Sequence, residues 1–241
     1  MSNEPQNRFV QQATLRSDMF SSSNLRSAAT VEIVIPFHGR YNRVVKLVET
    51  IMATVTSVRY QITLVDDASP NSGFGREIAA KNIRGLVCHR LPERNGFGGA
   101  VNHALRNPTH DWISHVCIMH SDAMPVDAMW LANLGSTLRK MRARNVKMVG
   151  ARSSNFGAEL GHLNTESSQK VEDRILVDGE YLPMFCAICH RELFSHVGFL
   201  DQKPLAKNEC ADFALKMRSK GFLQAVAGNC WVSHDSENAK S

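Results

Sequence analysis

Hydrophobic and polar positions alternate along the chain in a repeating order of short apolar runs and longer amphipathic segments. Residues 31–35 form a first apolar run, Pro36 stops it, and residues 41–54 then carry apolar positions at helical spacing. The same order returns further along the chain, with strand-like runs at 60–65, 85–89, 113–119 and 147–150 and helix-like segments at 98–106 and 126–142. Strands that alternate with helices in this way predict an α/β domain with a mainly parallel central sheet and helices on both faces.

The chain divides into a short arm and one domain. Residues 1–29 are rich in Ser, Asn, Gln and Arg without steady periodicity, which predicts a flexible N-terminal arm. Residues 30–241 have the length of a single α/β domain. No stretch approaches the roughly 20 apolar residues of a membrane span, and the N-terminus lacks the order of a signal peptide. The six cysteines are scattered through apolar runs, so we expect a reducing, cytoplasmic location.

The net charge of +5 and the pI near 9.0 favour an anionic partner. Nucleotide phosphates, nucleic acid and a membrane surface all meet this requirement, and the charge does not choose among them. One modest basic cluster is typical of a solvated helix face and consists of Arg139, Lys140, Arg142, Arg144 and Lys147.

Polar clusters follow four of the strand-like runs, at 36–40, 66–67, 94–96 and 120–122. Ligands in open α/β sheets bind outside the carboxyl ends of the strands, so these clusters are expected to converge on one cleft. The first cluster contributes Pro36, His38 and Arg40, which we expect beside a bound nucleotide.

Two of these clusters suit recognition of a nucleotide. Asp66 and Asp67 close a strand, where carboxylates can accept hydrogen bonds from a base edge or a ribose hydroxyl; alternatively, they only turn the chain before Pro70. Residues 95–99 resemble a glycine turn whose amides cradle a phosphate at a helix start. The glycine spacing differs from that of the dinucleotide fingerprint, which disfavours a Rossmann dehydrogenase.

His120 and Asp122 suggest a metal site. They are two residues apart, so in an extended conformation both side chains point to the same side and could share one divalent cation. Such a cation would offset the charge of a diphosphate leaving group. The alternative is that Asp122 caps a helix beginning near Pro125.

Seven short motifs occur in order along residues 31–235. They are Val34-Ile-Pro36 with Tyr41-Asn42, Leu64-Val-Asp-Asp-Ala-Ser69, Arg94-Asn-Gly-Phe-Gly-Gly-Ala-Val-Asn102, His120-Ser-Asp122 with Pro125, Cys186-Ala-Ile-Cys-His-Arg191 before Val197-Gly-Phe-Leu-Asp201, Glu209-Cys-Ala-Asp212 before Arg218-Ser-Lys-Gly221, and Ser233-His234. This set resembles the family 2 glycosyltransferases, and the resemblance implies a single domain of the GT-A fold.

The resemblance also implies a nucleotide-sugar donor, such as a UDP-sugar, and Mn²⁺ or Mg²⁺ as cofactor. It assigns Asp122 as the main metal ligand, His120 to the first position of the DxD-like motif and His234 as a further ligand. The residues that it places at the nucleotide, or in the motifs that hold it, are Asp66, Asp67, Arg94, Asn95, Gly96 and Ser121.

The chain departs from the family pattern at the catalytic base. Cys210 stands where the family usually has the aspartate that acts as general base. Glu209 and Asp212, three residues apart at the start of a helix-like run, lie on one face, and either could deprotonate an acceptor hydroxyl. We favour Glu209; alternatively, both carboxylates only face the positive end of the helix dipole.

The predicted function is therefore that of a hexosyl- or pentosyltransferase, metal-dependent and inverting. The candidate acceptors are a glycan, a lipid-linked sugar and a modified nucleic-acid base. Two alternatives are a nucleotidyltransferase of the same fold and a non-catalytic module that binds nucleic acid or nucleotide. Residues 152–180 have the length and composition of a loop that closes over a cleft.

Overall fold

The computed structural model describes residues 30–70, 73–74, 85–169, 171–202 and 208–234. The strands are β1 (Thr30–Phe37), β2 (Arg59–Asp66), β3 (Leu86–Arg90), β4 (His115–Met119), β5 (Ala123–Pro125), β6 (Val146–Arg152), β7 (Arg174–Ile175), β8 (Cys186–His190) and β9 (Leu223–His234). The helices are α1 (Tyr41–Thr54), α2 (Gly96–Arg106), α3 (Trp130–Lys140), α4 (Leu193–Val197) and α5 (Glu209–Ser219). The predicted arm, 1–29, lies outside the described residues, so the boundary at residue 30 stays a prediction.

One sheet runs through the domain in the order β3-β2-β1-β4-β8-β6-β9-β5, with β7 paired to β9. Strands β3, β2, β1 and β4 are mutually parallel, and we call them the parallel half. Strand β8 runs antiparallel to both β4 and β6, while β9 is parallel to β6 and antiparallel to β5 and β7; β5 to β9 form the mixed half. The predicted α/β class is confirmed, and the parallel arrangement is concentrated in the first half of the chain.

The strand directions bring several strand ends to one edge of the sheet. The register pairs Phe37 with Asp66, Asp66 with Arg90, and Met119 with Cys186. Because β8 is antiparallel to both β4 and β6, β6 and β9 point the same way as β4, and their ends at Arg152 and His234 lie at this same edge. We call it the carboxyl edge; the polar clusters after β1 to β4 meet there, as the strand order predicts.

The core consists of the apolar strand runs and one face of each longer helix. Ile33, Ile35 and Ile118 are fully buried, as expected for strands covered on both faces, which read as continuous apolar runs. Helix α1 buries Val44, Leu47, Val48, Ile51 and Met52 on one face. None of the described helices is both long enough and apolar enough to cross a bilayer.

The segment predicted as one helix over 126–142 is shorter and starts later. Ala123 pairs with His234, which makes Ala123–Pro125 a strand, and α3 begins only at Trp130. In the turn before α3, Asp127 Oδ1 accepts a hydrogen bond from Met129 N–H at 2.7 Å. The alternative role of Asp122 as a helix cap is therefore wrong, because a strand and a turn separate it from the helix.

Two buried polar contacts fix the elements around the carboxyl edge. The Asn102 side chain donates to Leu200 O at 2.9 Å and accepts from Leu200 N at 3.1 Å, which joins α2 to a segment far along the chain. Glu32, fully buried in β1, accepts a hydrogen bond from Thr63 at 2.6 Å and is ion-paired with Arg191 directly after β8. The second contact ties the parallel half to the mixed half.

Candidate active site

The loop after β1 is joined to the loop after β2 by hydrogen bonds. Gly39 N–H donates to Ser69 Oγ at 2.7 Å, and His38 Nδ1 lies 2.8 Å from Asp67 O. Gly39 and Arg40 both have positive φ, 65° and 53°, so the chain makes a tight turn before α1 that is costly for the non-glycine Arg40. Pro36 is buried within β1, one residue before the end of the strand.

Asp66 and Asp67 hold these loops with their carboxylates. Asp66 is fully buried, is ion-paired with Arg90, and accepts a hydrogen bond from Ser69 N–H at 2.9 Å. The Asp67 carboxylate accepts hydrogen bonds from Asn95 N–H at 2.7 Å and Gly96 N–H at 2.9 Å. Both carboxylates therefore organise the polar loops at the carboxyl edge. Their direct contact with a nucleoside stays a prediction.

The glycine turn opens α2 and packs tightly. Its Asn95 and Gly96 amides, which were expected to face a phosphate, are bound to Asp67. A Cβ on Gly98 would lie 2.3 Å from Asp201 O, so only glycine fits there. The Phe97 ring lies 4.6 Å from the His120 ring, edge to face, so the glycine turn packs against the polar cluster at 120–122. Arg94, before the turn, is exposed.

His120, Asp122 and His234 come together as a group that we call the metal triad. Their potential ligand atoms all lie within 4.8 Å of one another. His234 Nε2 is 3.4 Å and His120 Nδ1 is 3.8 Å from Asp122 Oδ1. The turn 120–123 is fixed by hydrogen bonds, with His120 N–H donating to Phe185 O at 2.8 Å and Ala123 N–H donating to His120 O at 3.1 Å.

The metal triad places a buried carboxylate oxygen beside two imidazole rings. Asp122 Oδ1 is buried and accepts no hydrogen bond within the described part of the chain. His234 Nδ1 lies 3.4 Å from Asn155 O, and the tautomer that donates to this carbonyl would leave the Nε2 lone pair for a cation beside Asp122. The Phe185 ring stacks on His234 at 4.7 Å and holds this orientation.

The charges of the metal triad suit a divalent cation. Burial and the adjacent His234 together lower the pKa of His120 to about 4, against the opposing effect of Asp122, so His120 is neutral at pH 7. Burial opposes the ionisation of Asp122, but the interactions with His234 and His120 outweigh it and lower its pKa to about 2. A carboxylate oxygen with two imidazole nitrogens is a reasonable donor set for Mn²⁺, whereas Mg²⁺ and Ca²⁺ prefer oxygen alone.

Arg40 approaches the metal triad from the opposite side. Its Nη1 lies 3.7 Å from Asp122 Oδ2, the carboxylate oxygen that does not face His234. Ser121, between the two ligands of the motif, is half-buried. A cationic side chain at this distance could share a diphosphate with a cation bound at Asp122.

The start of α5 lies next to the segment that precedes β8. Cys210 Sγ accepts a hydrogen bond from Met184 N–H at 3.4 Å, one residue before Phe185, which carries the carbonyl bound to His120. Burial raises the pKa of the Cys210 thiol to about 11, so the thiol stays protonated and cannot replace an aspartate base.

The two candidate bases differ in their contacts. Asp212 is ion-paired with Lys216 one turn further along α5, at 2.6 Å. Glu209, the first residue of α5, is half-buried and forms no ion pair with any residue that the structure describes. Of the two, only Asp212 has a cationic partner among the described residues, and the role of either as base stays a prediction.

Sequence reasoning missed three groups that shape the metal triad: the Phe97 ring, the Phe185 ring and the Asn155 carbonyl. Phe97 lies inside the motif Arg94–Asn102, so the sequence could have indicated that it lies near the site. Phe185 reads only as an apolar residue before a strand. A backbone carbonyl leaves no signal in a sequence at all.

Comparisons with known proteins agree with the observed fold. Residues 32–198 match the model of the family described as Glycosyl transferase family 2. A search of curated proteins found no match. The mannosyltransferase PcManGT from Pyrobaculum calidifontis, solved with GDP-Man and Mn²⁺, is similar with a TM-score of 0.66 and 16% identity over 98% of this chain and 68% of that chain.

Two further solved structures are similar. GalNAc-T7 with UDP, GalNAc and Mn²⁺ gives a TM-score of 0.66 and 16% identity over 97% of this chain. S. aureus TarS 1-349 with UDP-GlcNAc gives 0.63 and 13% over 88% of this chain. This chain spans 53% of the GalNAc-T7 chain and 60% of the TarS chain, so both of those proteins are considerably longer.

Proposed function

Because the chain belongs to glycosyl transferase family 2 and is a glycosyltransferase of the GT-A fold, we propose that it transfers a sugar from a nucleoside-diphosphate donor in a metal-dependent, inverting reaction. The observation that carries this proposal is the buried Asp122 Oδ1, which accepts no hydrogen bond from the described residues and has two imidazole nitrogens beside it. The structures with Mn²⁺ and a GDP- or UDP-linked ligand support it by similarity of fold.

His120, Asp122 and His234 would hold the cation. A divalent cation supplies Lewis-acid stabilisation of the charge that a diphosphate gains as it leaves the sugar. The donor set of one carboxylate and two imidazoles favours Mn²⁺ over Mg²⁺. Arg40 would add a second positive charge on the other side of Asp122.

The nucleoside would lie against the loops after β1, β2 and β3. His38, Arg94 and Ser121 are the side chains proposed to contact it or its phosphates. The remaining proposed nucleotide-binding residues frame the pocket through the contacts described above: Pro36, Asp66, Asp67, Asn95 and Gly96.

Glu209 is the proposed general base, with Asp212 as the second candidate. Glu209 takes the proton of the acceptor hydroxyl while that oxygen bonds to the anomeric carbon and the bond from this carbon to the diphosphate breaks. Attack on the face opposite the leaving group inverts the anomeric centre. The acceptor is proposed to be a glycan, a lipid-linked sugar or a modified nucleic-acid base, and the positive net charge is compatible with the last two.

Calorimetric titration with UDP and GDP tests this proposal. We expect binding that requires Mn²⁺, is abolished by a chelator, and is weakened by about tenfold or more in Asp122→Ala. Asp111→Ala is the matched control, because Asp111 is an exposed carboxylate before the start of β4, away from the metal triad. Binding of equal strength with chelator and in Asp122→Ala would contradict a metal-held diphosphate.

A further inference from the structure

A cavity of about 820 Å³ lies at the edge of the sheet opposite the metal triad, and we call it the rear cavity. Its lining includes Val31, His115 and His190, which form one row across β1, β4 and β8 at the amino ends of the two parallel strands. This volume lies within the range of roughly 300–1,000 Å³ that is typical of small-molecule sites.

The interior of the rear cavity is apolar. Leu131 and Leu138 of α3 line it together with Val31 and Ile188 of the sheet. Gly135, on the same helix, also lines it, and a Cβ added there would meet no atom within 4 Å. The glycine therefore leaves room between α3 and the sheet that a larger side chain would fill.

The lining of the rear cavity also carries positive charge. Arg139 and Arg142 are exposed, and neither forms an ion pair with any residue that the structure describes. Lys147 Nζ lies 5.5 Å from the centroid of the Phe222 ring, which also lines the cavity. The lining contains one carboxylate, Glu192, against these three cations.

The histidines of the lining add no negative charge. His115 lies edge to face with His190 at 5.0 Å, and burial, with His190 as a further cause, lowers the pKa of His115 to about 4. His190 Nδ1 accepts a hydrogen bond from Glu192 N–H at 3.3 Å, and the single carboxylate, Glu192, is exposed to solvent. The fixed positive charge of the two arginines is left for a ligand.

We propose that the rear cavity binds an anionic phospholipid at a bilayer surface. The acyl chain would lie against the apolar interior, and the phosphate would be held by Arg139, Arg142 and Lys147. Met129, which also lines the cavity, is 50% exposed, so an apolar side chain accompanies the cations where the cavity meets solvent.

Charge complementarity favours this occupant over the N-terminal residues of the chain. Residues 1–29 carry three arginines against one glutamate and one aspartate, so their own charge does not complement a cationic lining. The rear cavity and the metal triad lie at opposite edges of the sheet. The proposal therefore does not depend on the proposed reaction.

Sedimentation with vesicles tests the proposal on the full chain. Wild type is expected to bind equimolar phosphatidylcholine and phosphatidylglycerol vesicles and not pure phosphatidylcholine vesicles. Gly135→Leu fills the cavity without altering charge and is expected to lower binding about tenfold, whereas Gly135→Ala is expected to stay within about twofold. Leucine and alanine both favour a helix over glycine, and an unchanged or raised Tm confirms that each variant folds.

A second pair of variants separates the cavity from diffuse surface charge. Arg139→Gln with Arg142→Gln is expected to lower binding about tenfold or more, and the control, Lys140→Gln with Arg144→Gln, about threefold at most. The control removes the same charge from the same cluster, but neither of its residues lines the rear cavity. Equal losses in the two pairs, or full binding by Gly135→Leu, would overturn the proposal.

Titration with short-chain phosphatidylglycerol and with glycerol phosphate distinguishes the lipid from its headgroup. We expect binding of the short-chain lipid and loss of that binding in Gly135→Leu. Binding of glycerol phosphate as tight as that of the lipid would contradict the role of the acyl chain. Absence of binding between wild type and anionic vesicles would overturn the proposal.

Discussion

The parallel half and the mixed half of the sheet contribute to the candidate active site in different ways. In the parallel half, the loops after β1, β2 and β3 are bound to one another by backbone amides and by Asp66 and Asp67. In the mixed half, β9 delivers His234, and the chain before β8 delivers Phe185 and the contact to Cys210. The first half builds the frame proposed for the nucleotide and, after β4, carries His120 and Asp122, while the second half adds His234 and the proposed base.

Because of this difference, substitutions in the two halves are expected to affect different properties of the protein. A change in the parallel half is expected to weaken nucleotide binding and stability together, because the carboxylates that hold its loops are also the ones proposed to frame the nucleotide. A change at the ends of β9 or α5 is expected to affect metal binding or the rate while the fold persists. The predictions below follow from this contrast.

The largest effect is expected for the proposed base in the mixed half. Glu209→Gln keeps the size of the side chain but cannot take a proton, so the rate of sugar transfer or donor hydrolysis is expected to fall about hundredfold or more. The Kd for the nucleotide is expected to be unchanged. Cys210→Ala is the control, expected to change the rate less than about threefold, because a thiol with a raised pKa takes no part. A hundredfold loss in Cys210→Ala would reverse the two assignments.

The next effect concerns the contact between the halves. Arg191→Leu leaves the buried Glu32 without its cation and is expected to lower the free energy of unfolding by about 3 kcal/mol at pH 7, measured by denaturant titration. Burial raises the pKa of Glu32 above its unfolded value of 4.5, so the native state binds the proton more tightly. The stability of the variant therefore falls as the pH rises above 4.5, and its deficit is expected to be smaller at pH 4. A deficit independent of pH would contradict this reading of the pair.

A smaller effect is expected at the frame in the parallel half. Asp67→Ala removes the acceptor of two backbone amides and is expected to cost about 2 kcal/mol of stability. The Kd for UDP or GDP is expected to rise about tenfold, while Mn²⁺ still binds. Asp67→Asn retains one acceptor oxygen, so its stability and its Kd for the nucleotide are expected to lie between those of wild type and Asp67→Ala. Loss of Mn²⁺ binding in either variant would show that the halves are not separable.

The smallest effect lies in the mixed half, away from the metal triad. Burial opposes ionisation of Glu180, but hydrogen bonds from His162, Arg174 and Val177 N–H outweigh it and lower its pKa to about 2. A lowered native pKa gives stability that is present above the unfolded value and is lost as the pH falls toward 2. Glu180→Gln is expected to be less stable than wild type by about 1 to 2 kcal/mol at pH 7, with the difference vanishing near pH 2. Glu166→Gln, an exposed carboxylate, is the control.

The sequence predicted the parallel half more completely than the mixed half. Its strands read as continuous apolar runs because they are buried on both faces, and the positions of the polar loops follow from strand order alone. In the mixed half, β7 has two residues and β5 has three, too short for any periodicity. The helix predicted over 126–142 began too early because residues 126–129 form a turn, which the apolar spacing did not distinguish from a helix.

The candidate site shows the same limit. His120 and Asp122 were found from their spacing, which was interpreted for an extended conformation, whereas the structure places them in a turn. His234 was singled out only by resemblance, because its place depends on the register of β9 against Ala123, which no local pattern specifies. The rings and carbonyl that orient the metal triad come from pairings between distant segments and left no signal.

The most direct test of the contrast between the halves is the affinity of His234→Ala for Mn²⁺, measured by calorimetry without nucleotide. Wild type and Asn133→Ala are measured beside it. Asn133 is a polar control residue whose side chain donates a hydrogen bond to the Asn229 carbonyl. If β9 completes the metal triad, His234→Ala binds Mn²⁺ about tenfold more weakly with an unchanged Tm, and Asn133→Ala binds as wild type does. Equal affinity in His234→Ala and wild type would contradict the account, because the metal site would then belong to the turn 120–122 alone.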